Sequence, residues 1–543
     1  MSNGTVLSKI DEIKVDDYDI IKEGKAQILT PKKDQVFYNP IQQFNRDLSL
    51  MSIKAFIQLR QAQHDESQDE KSSPQKKIKK LNKVKILEAL SATGLRAIRY
   101  AKELDGDYDL IVANDLLPEA VKSIDRNIQY NEVTKIKSNL GDAIKYMAHA
   151  DIKFNIIDLD PYGTAAPFID SAIQSIEDGG MLLVTCTDAG VLAGSGYPEK
   201  CFALYGGNNF GNSFINNETN HEVGIRLILG MIGNIAAKYK KSIEPMLSLS
   251  IDFYFRLFIK VKTSPLEVKQ LSSKTMISYG CNGCGHKVNQ YFGKIKDGKK
   301  FQYPKSVGPG SQCEYCQHDY NIAGPMYGSK LHSEEFIEKI LEINNNSDKA
   351  IYGTTERVKG MLTLAKQELD EYNPPFYFNL NHLSSLFKSP PISIDQFVKA
   401  IGNLNHIGKS GYQVSLTHAK KNCVKTDTPW DIILRINIEW LKLSNQIIYK
   451  ELKSKESLTE KETIKLQKLT EDIFYNGNLS ETSIGYKIIQ YFNQHKDQYE
   501  FKIDFETENE LSQSIAKLRK VKMVRYQENP TKNWGPKSRP SSK

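Results

Sequence analysis

At 543 residues the chain is too long for one ordinary hydrophobic core, so two or three domains are expected. Hydrophobic residues make up 40% and charged residues 25% of the chain, a balance typical of globular proteins. The longest apolar runs have only the length of strands, which argues against a membrane-spanning class and leaves no membrane partner to expect.

The positive charge is concentrated at the C-terminus. From Lys517 to the last residue there are nine Lys or Arg and one acid, Glu528, which accounts for the net charge of +8 of the whole chain. Such a tail indicates a polyanionic partner such as a nucleic acid, with a solvated or targeting tail as the alternative. The first twenty residues carry five acids and no apolar core, so neither a secretory signal nor a clean transit peptide is expected.

Short β-branched runs alternate with helical stretches between residues 83 and 262. Before them, residues 61–80 are polar and basic and are predicted to be a flexible insertion. In chain order, the pattern predicts strands at residues 84–90, 110–115, 154–160 and 181–188, and helices at residues 95–104, 118–131 and 167–179. This alternation predicts an α/β fold whose parallel sheet is covered by helices on both faces.

The pattern changes after residue 262. A segment rich in Cys, Gly and Tyr runs to residue 327, and residues 334–343 and 358–369 then repeat apolar residues at helical spacing. Two Pro-Pro pairs punctuate the following stretches, as in a small helical or winged-helix module, and residues 450–472 are charged enough for an exposed helical hairpin or an insertion. The chain is therefore divided into residues 1–262, residues 263–500 and a basic tail at residues 501–543.

Three strand-to-helix turns carry residues suited to a nucleoside cofactor. Gly94 lies in the first turn, where a glycine lets the backbone approach a ligand closely. Asp115 ends the next strand, where a carboxylate can bind both ribose hydroxyls, and Asp142 follows at the expected place of an adenine amine. A dinucleotide needs G-x-G-x-x-G around its pyrophosphate, whereas Ala92 stands here in place of a neighbouring glycine. The pattern therefore favours S-adenosylmethionine over NAD.

Asp160, Pro161, Tyr162 and Gly163 lie at the predicted carboxyl end of a strand, where α/β sheets place ligands. A purine exocyclic amine is a poor nucleophile because its lone pair is delocalised into the ring, so a catalyst must orient the NH₂ group and accept one of its hydrogens. We expect Asp160 to do so, with Pro161 stiffening the turn. The Tyr162 ring would stack on the base, which contributes roughly 1–3 kcal/mol and is comparable to the cost of extruding a base. A plain Asp-Pro turn is the alternative.

Four of the seven cysteines form two C-x-x-C pairs, Cys281 with Cys284 and Cys313 with Cys316, separated by 28 residues. Two such pairs in a reducing compartment predict a Cys₄ zinc site, which would be structural because no ligand position is open. Redox-active pairs are the alternative reading. The isolated cysteines, Cys186, Cys201 and Cys423, are interpreted as small buried hydrophobic residues.

Several longer signatures occur in a fixed order along the chain. They are EGKA (23–26), VFYNPIQQFNRDLS (36–49), ATGLRAIR (92–99), DLDPYGTAAPFID (158–170), TCTDAGVLAG (185–194), CNGCG (281–285), CEYC (313–316), GPMYGSKLH (324–332) and VKTDTPW (424–430). Together they resemble the tRNA guanine N2-dimethyltransferases, which modify position 26, and the resemblance extends from residue 23 to residue 429.

The resemblance implies a Rossmann-like class I methyltransferase domain and a family-specific C-terminal domain, mostly α+β and zinc-containing, that helps to hold tRNA. It implies that Asp160 engages the guanine amine, with Phe37 and Tyr162 on either side of the base. From the residues alone, Phe37 would be a core aromatic and Arg46 part of a structural ion pair. The residues implied to contact S-adenosylmethionine are Arg46, Arg96, Asp115, Asp142 and Ala143.

Transfer of one or two methyl groups from S-adenosylmethionine to N2 of guanine 26 is therefore the expected activity. The alternatives are an amine methyltransferase acting on another nucleic acid and a zinc-stabilised RNA-binding protein or tRNA chaperone. Tyr162 departs from the phenylalanine frequent at its position in the family, and should still stack. The insertion, the charged segment and the basic tail resemble eukaryotic additions, so we expect a nuclear protein, with the mitochondrion and the cytoplasm as alternatives. The sequence does not indicate a protein partner.

Overall fold

The computed structural model describes residues 13–32, 38–69, 81–298, 300–368, 374–408, 411–472, 479–495 and 502–520. Phe37, residues 70–80 of the predicted insertion and residues 521–543 of the basic tail lie outside the described residues. The elements up to residue 263 are β1 (Tyr18–Glu23), β2 (Ala26–Pro31), α1 (Gln43–Asp69), β3 (Val84–Glu88), α2 (Leu95–Glu103), β4 (Tyr108–Asp115), α3 (Pro118–Tyr130), β5 (Ile136–Leu140), α4 (Ala143–His149), β6 (Phe154–Leu159), α5 (Ala166–Ser175), β7 (Ile176–Cys186), α6 (Ala189–Leu192), α7 (Pro198–Tyr205), α8 (Asn220–Lys238), β8 (Lys241–Ile251) and β9 (Tyr254–Thr263).

A seven-stranded sheet of order β5-β4-β3-β6-β7-β9-β8 forms the centre of the molecule. Its first five strands pair in parallel, and β9 and β8 complete it as an antiparallel edge. The strands β3 and β6 are buried along almost their whole length, as expected when helices cover both faces. The predicted α/β fold is confirmed, and its sheet, which was predicted to be parallel, is mostly parallel with an antiparallel edge.

Two predicted boundaries are wrong. Residues 61–69, expected to begin the flexible insertion, continue α1 as far as Asp69. The helix expected at residues 167–179 ends at Ser175, and Ile176 begins β7 instead. Ile176 pairs with Phe154 of β6, and Gly179 has a φ of 74°, a left-handed conformation that does not continue a helix. Pairing with the sheet therefore outweighs the helical spacing of these residues.

The C-terminal region combines helices with small antiparallel sheets. Three strands form a sheet of order β11-β10-β14, two form the hairpin β12-β13, and three form a sheet of order β15-β17-β16. The elements are α9 (Pro265–Val268), β10 (Thr275–Cys281), β11 (Lys287–Tyr291), β12 (Lys294–Lys296), β13 (Lys300–Gln302), β14 (Tyr320–Tyr327), α10 (Glu334–Asn345), α11 (Thr355–Gln367), β15 (Phe378–Asn379), α12 (Leu380–Leu386), α13 (Ile394–Gly408), β16 (Val414–Leu416), β17 (Cys423–Thr426), α14 (Trp430–Lys453), α15 (Glu460–Glu471), α16 (Ile484–Gln494) and α17 (Glu510–Lys520).

The C-terminal helices share a core with the sheet. Phe336 of α10 and Val358 of α11 are buried in the same cluster as Phe44 of α1 and Ile86 of β3. The predicted division after residue 262 stays a prediction, although the central sheet does end at Thr263. Within the part of the chain that the structure describes, no helix is long and apolar enough to cross a membrane.

A buried ionic cluster joins α8 to the C-terminal region. The ammonium of Lys425, whose side chain is 3% exposed, lies 3.0 Å from Glu222 of α8 and 3.4 Å from Glu368. Burial opposes ionisation of Glu368, but His418 and Lys425 hold its pKa well below its usual range. Although His332, Glu368 and His418 lie close together, both ring nitrogens of His418 are used, one by Glu368 and one by the amide of Ser250. The contacts of Glu368 with Lys425 and His418 make this cluster an ionic junction.

Replacing Lys425 with methionine is expected to lower the free energy of unfolding by about 3–5 kcal/mol, because two buried carboxylates lose their shared cation. Denaturant unfolding monitored by circular dichroism measures the change. The matched control is Lys349→Met, which removes an exposed cation 2.8 Å from Glu356 and should cost less than about 1 kcal/mol. Equal losses in the two variants would contradict the junction.

Candidate active site and metal centre

The strand order places a crevice at the carboxyl ends of β3 and β6. The chain runs from β3 to β4 and β5 on one side of β3, and then crosses to β6 on the other side of β3. Open α/β sheets bind ligands at such a reversal. The turn after β3 is held by its neighbours: Gly94 has a φ of 75°, and the amide of Ala92 donates to Oδ2 of Asp115 at 2.9 Å. A Cβ on Gly94 would lie 3.3 Å from Ile124, so a glycine fits this turn best.

Asp115 and Asp142 lie at the ends of neighbouring strands. Oδ1 of Asp115 accepts a hydrogen bond from the amide of Leu117 at 3.0 Å. Asp142 is the N-cap of α4, where its Oδ1 accepts from the amides of Ile144 and Lys145, and Ala143 is the first residue of that helix. Both carboxylates are thus fixed by backbone amides at the carboxyl edge of the sheet.

Three leucines beside these carboxylates are exposed. Leu116, Leu117 and Leu140 are exposed by 60%, 52% and 55%, respectively. Large apolar side chains exposed together at a strand edge are typical of a ligand surface. Leucines carry no motif, so this surface could not be predicted from the sequence.

Asp160 directly follows β6, and its carboxylate is only partly buried. The guanidinium of Arg96 and the side-chain amide of Asn45 both donate to its Oδ2, the latter at 3.4 Å. Pro161 is buried, whereas Tyr162 is 49% exposed at the mouth of the crevice. The turn therefore presents a carboxylate and an aromatic ring side by side.

The turn after Asp160 is hydrogen-bonded to the end of β7. Gly163 has a φ of 85°; its amide donates to Oγ1 of Thr187, and the Thr187 amide donates to the Gly163 carbonyl, both at 2.8 Å. Next to them, the hydroxyl of Tyr205 donates to the Asp188 carboxylate, whose pKa burial raises. Besides Asp115, Asp142 and Asp160, a fourth carboxylate therefore lies at the carboxyl edge of the sheet, after the strand next to β6.

Arg46 makes the structural ion pair that its residue type suggests. Its Nε donates to Glu23 at 2.6 Å, its Nη2 contacts the other oxygen of the same carboxylate, and the side chain is 10% exposed. Burial opposes ionisation of Glu23, but Arg46 and Arg99 lower its pKa. The role of Arg46 as a cofactor contact stays a prediction.

The four paired cysteines meet in one buried cluster. Their Sγ atoms all lie within 4.8 Å of one another, with 3.4 Å between Cys281 and Cys316 and 3.6 Å between Cys284 and Cys313. A tetrahedral zinc ion bound at about 2.3 Å holds its sulfurs about 3.8 Å apart. All four thiols are free of disulfides, and the amide of Gly283 donates to Cys281, as at metal-bound thiolates. The donor set therefore fits a zinc ion.

The two histidines near this cluster have other partners. Nδ1 of His286 is hydrogen-bonded to the hydroxyl of Tyr320 at 3.0 Å, and Nδ1 of His318 is hydrogen-bonded to the carbonyl of Cys316 at 2.9 Å. The four thiols already complete a tetrahedral donor set, so the site needs no histidine ligand.

Comparison with known proteins identifies the family. The model of the family described as "N2,N2-dimethylguanosine tRNA methyltransferase" matches residues 12–437. The chain belongs to this family.

Relatives and a solved structure agree with the family match. A protein of Saccharomyces cerevisiae named "tRNA (guanine(26)-N(2))-dimethyltransferase, mitochondrial" is 45% identical, covering 98% of this chain and 94% of the relative. A Schizosaccharomyces pombe tRNA (guanine(26)-N(2))-dimethyltransferase is 38% identical, covering 96% and 93%. The structure of Trm1 from Pyrococcus horikoshii with S-adenosyl-L-methionine has a TM-score of 0.59 at 25% identity and covers 77% of this chain and 99% of that one.

Within this tRNA methyltransferase of the dimethylguanosine family, the described candidate residues lie around one edge of the sheet. Gly94 and Asp160 follow the two strands at the crevice, and Asp115 and Asp142 follow the two strands on one side of it. Arg96 connects the two groups, since Ala92 of its turn contacts Asp115 and its own guanidinium contacts Asp160. The cysteine cluster lies separately, between β10 and β14.

Proposed function

We propose that the chain transfers one or two methyl groups from S-adenosylmethionine to the N2 amine of guanine 26 in tRNA. The main support for the proposal is the crevice in which the Asp160 carboxylate lies next to the exposed ring of Tyr162. The chain also belongs to a family of tRNA guanine methyltransferases. The solved relative, with 25% identity, contains S-adenosyl-L-methionine, which supports the same cofactor here.

The turns after β3, β4 and β5 would hold the cofactor. Asp115 is assigned to the ribose hydroxyls and Asp142 to the adenine amine, with the three exposed leucines forming the apolar wall of the adenine site. Gly94 leaves room for the close approach of a ligand, and Ala143 adds a small side chain. Arg96 and Arg46 are assigned to the methionine end. When bound, S-adenosylmethionine supplies an electrophilic methyl group on a sulfonium.

Asp160 would orient the acceptor amine. Its Oδ2 is held by two donors, and Oδ1 is the oxygen that accepts a hydrogen of the guanine NH₂. This contact directs the nitrogen lone pair toward the methyl group and takes up positive charge as the new bond forms. Pro161 fixes the turn and Tyr162 stacks on the base, with Phe37 assigned to its other face.

Replacing Asp115 with asparagine is expected to raise the Kd for S-adenosylmethionine about 10- to 100-fold, because hydrogen bonds to a charged group contribute about 1.5–3 kcal/mol. Isothermal titration calorimetry measures the change. Asp109→Asn, an exposed carboxylate near the opposite end of the same strand, is the matched control and should leave the Kd unchanged. An unchanged Kd for Asp115→Asn would refute the ribose assignment.

The C-terminal region is proposed to support tRNA binding. Its residues 263–500 contain the cysteine cluster, which we assign to a structural zinc ion, and the tail of residues 501–543 adds positive charge for the phosphate backbone. Residues 1–262 are proposed as the methyltransferase domain. The S. cerevisiae relative bears the word mitochondrial in its name, so we propose the mitochondrion among the compartments of this chain, while the nucleus stays a prediction.

The deciding experiment is methyl transfer from labelled S-adenosylmethionine to unmodified tRNA, followed by nucleoside analysis. N2-methylguanosine or N2,N2-dimethylguanosine is expected, and both should be missing when position 26 carries adenine. Ribosomal RNA and duplex DNA serve as competing substrates. Label in either of these but none in tRNA would favour another nucleic acid, and tRNA binding without any transfer would favour the chaperone.

A further inference from the structure

The two oxygens of the Asp160 carboxylate have different surroundings. Oδ2 accepts from the guanidinium of Arg96 and from the amide of Asn45, a residue with no exposed surface. Within the described residues, no hydrogen bond reaches Oδ1, and the side chain is 26% exposed. One oxygen is therefore fixed by the protein while the other faces the crevice.

Arg96 is itself held by two buried residues. Its Nη1 donates to Oδ2 of Asp158 at 3.3 Å and to Oγ of Ser49 at 3.1 Å. Arg256 donates to both oxygens of Asp158, at 2.8 and 3.2 Å, and to the same Ser49 hydroxyl at 2.7 Å. The hydroxyl of Tyr100 adds a fourth contact to Asp158 at 2.7 Å. Arg96 thus lies between the partly exposed carboxylate of Asp160 and the fully buried carboxylate of Asp158.

The charges of this group balance. Burial opposes ionisation of Asp158, but Arg256 and Arg96 lower its pKa, so two carboxylates meet two guanidiniums. The neighbouring Glu88 does not upset the balance, because burial raises its pKa to about 8 and keeps it protonated at neutral pH. Asp158 and Arg256 have side chains with no exposed surface, so they cannot touch a substrate themselves.

We propose that Asp158 and Arg256 are positioning residues for methyl transfer. Acting through Arg96, they hold Oδ2 of Asp160 so that Oδ1 meets the guanine amine in one orientation. This inference rests on the proposed function. A misplacement of a reacting group by about 1 Å can cost about 100-fold in rate, so the support of Asp160 should be visible in kcat.

The first test is Asp158→Asn in the full-length chain. It keeps the shape of the side chain but removes the charge that holds Arg96, and kcat on tRNA at saturating cofactor should fall about 10- to 100-fold with KM little changed. The second readout is binding of tRNA with guanosine or inosine at position 26. Inosine lacks the amine, so the wild-type preference for guanosine should shrink in the variant. A partly unfolded protein would lose binding to both tRNAs equally.

Ser49→Ala is a second variant that tests the same positioning role if Asp158→Asn does not fold. It removes one acceptor shared by Arg96 and Arg256 and leaves every charge in place, so a smaller drop in kcat in the same direction is expected. The matched control is Glu222→Gln, which disturbs another buried pair, with Arg226, and shares no partner with Asp160. It should lower the unfolding temperature but preserve kcat and the preference for guanosine.

The outcomes distinguish failure of the positioning role from failure of the proposed function. If wild-type protein methylates guanine 26 while the folded variants keep its kcat or its guanosine preference, the positioning role is overturned and the function stands. A lower kcat together with a reduced guanosine preference, in variants but not in the control, supports it. If the wild-type protein transfers no methyl group to tRNA, the proposed function fails first and this inference fails with it.

Discussion

Asp160→Asn is expected to lower kcat for methyl transfer to tRNA by about 10²–10⁴-fold, the range typical of a lost proton acceptor in the transition state. Asparagine has the same shape as aspartate, but we expect it to be as harmful as removal of the whole side chain. The reason is that Arg96 and Asn45 are both hydrogen-bond donors. They would keep the amide oxygen in the place of Oδ2, and the NH₂ of the new side chain would then face the NH₂ of guanine. Two donors facing each other cannot form the orienting hydrogen bond.

Single-turnover kinetics at saturating S-adenosylmethionine measures this loss, and calorimetry checks that the cofactor still binds. Asp170→Asn is a suitable control, because that carboxylate lies on the helix after the same turn and bonds only to Gln174 and Tyr239 among the described residues. It should retain wild-type kcat. Asp160→Asn with a kcat near that of the wild type would eliminate Asp160 as the group that orients the amine.

Four strands of the sheet could be predicted because they contain apolar runs that alternate with helical spacing, whereas β5, β8 and β9 were not predicted, and β5 has no buried residue. Residues 84–90 and 154–160 contain β3 and β6. The start of β7 could not be predicted, since residues 176–179 fit a helix locally and are drawn into the sheet only by pairing with Phe154. Local pattern predicts an element well where tertiary contacts do not compete with it.

Part of the candidate site could also be predicted from the strand pattern. Asp115, Asp142 and Asp160 end strands, and the ends of parallel strands meet at one edge of a sheet whatever the details of the fold. The contact of Asn45 with Asp160 joins residues that are 115 positions apart, and that of Arg256 with Asp158 joins residues 98 positions apart. Such contacts leave no local signal in a single sequence. The same holds for Lys425, whose partners come from α8 and from the end of α11.

The second large effect is the loss of stability expected when the cysteine cluster loses its proposed zinc ion. Cys281, Cys284, Cys313 and Cys316 are buried in the same cluster as Phe387, Leu434, Ile438, Ile488 and Phe492. Because these apolar residues belong to the region of α12, α14 and α16, loss of the ion should loosen this whole part of the chain. Structural zinc sites contribute about 10–16 kcal/mol in small peptides, which is more than the usual stability of a domain.

Cys284→Ser is therefore expected to abolish stoichiometric zinc and to lower the unfolding temperature, whereas Cys423→Ser should keep the zinc. Cys423 is equally buried but contacts Glu218 and lies outside the cluster, which makes it a matched control. Mass spectrometry of the native protein counts the metal, and treatment with a chelator should reproduce the effect of Cys284→Ser in the wild-type chain. Protein that is fully folded without metal, with cysteine pairs that oxidise and reduce reversibly, would instead assign the cluster to redox chemistry. A structural ion leaves no open ligand position, so its removal should reduce tRNA binding and stability together and leave the binding of S-adenosylmethionine intact.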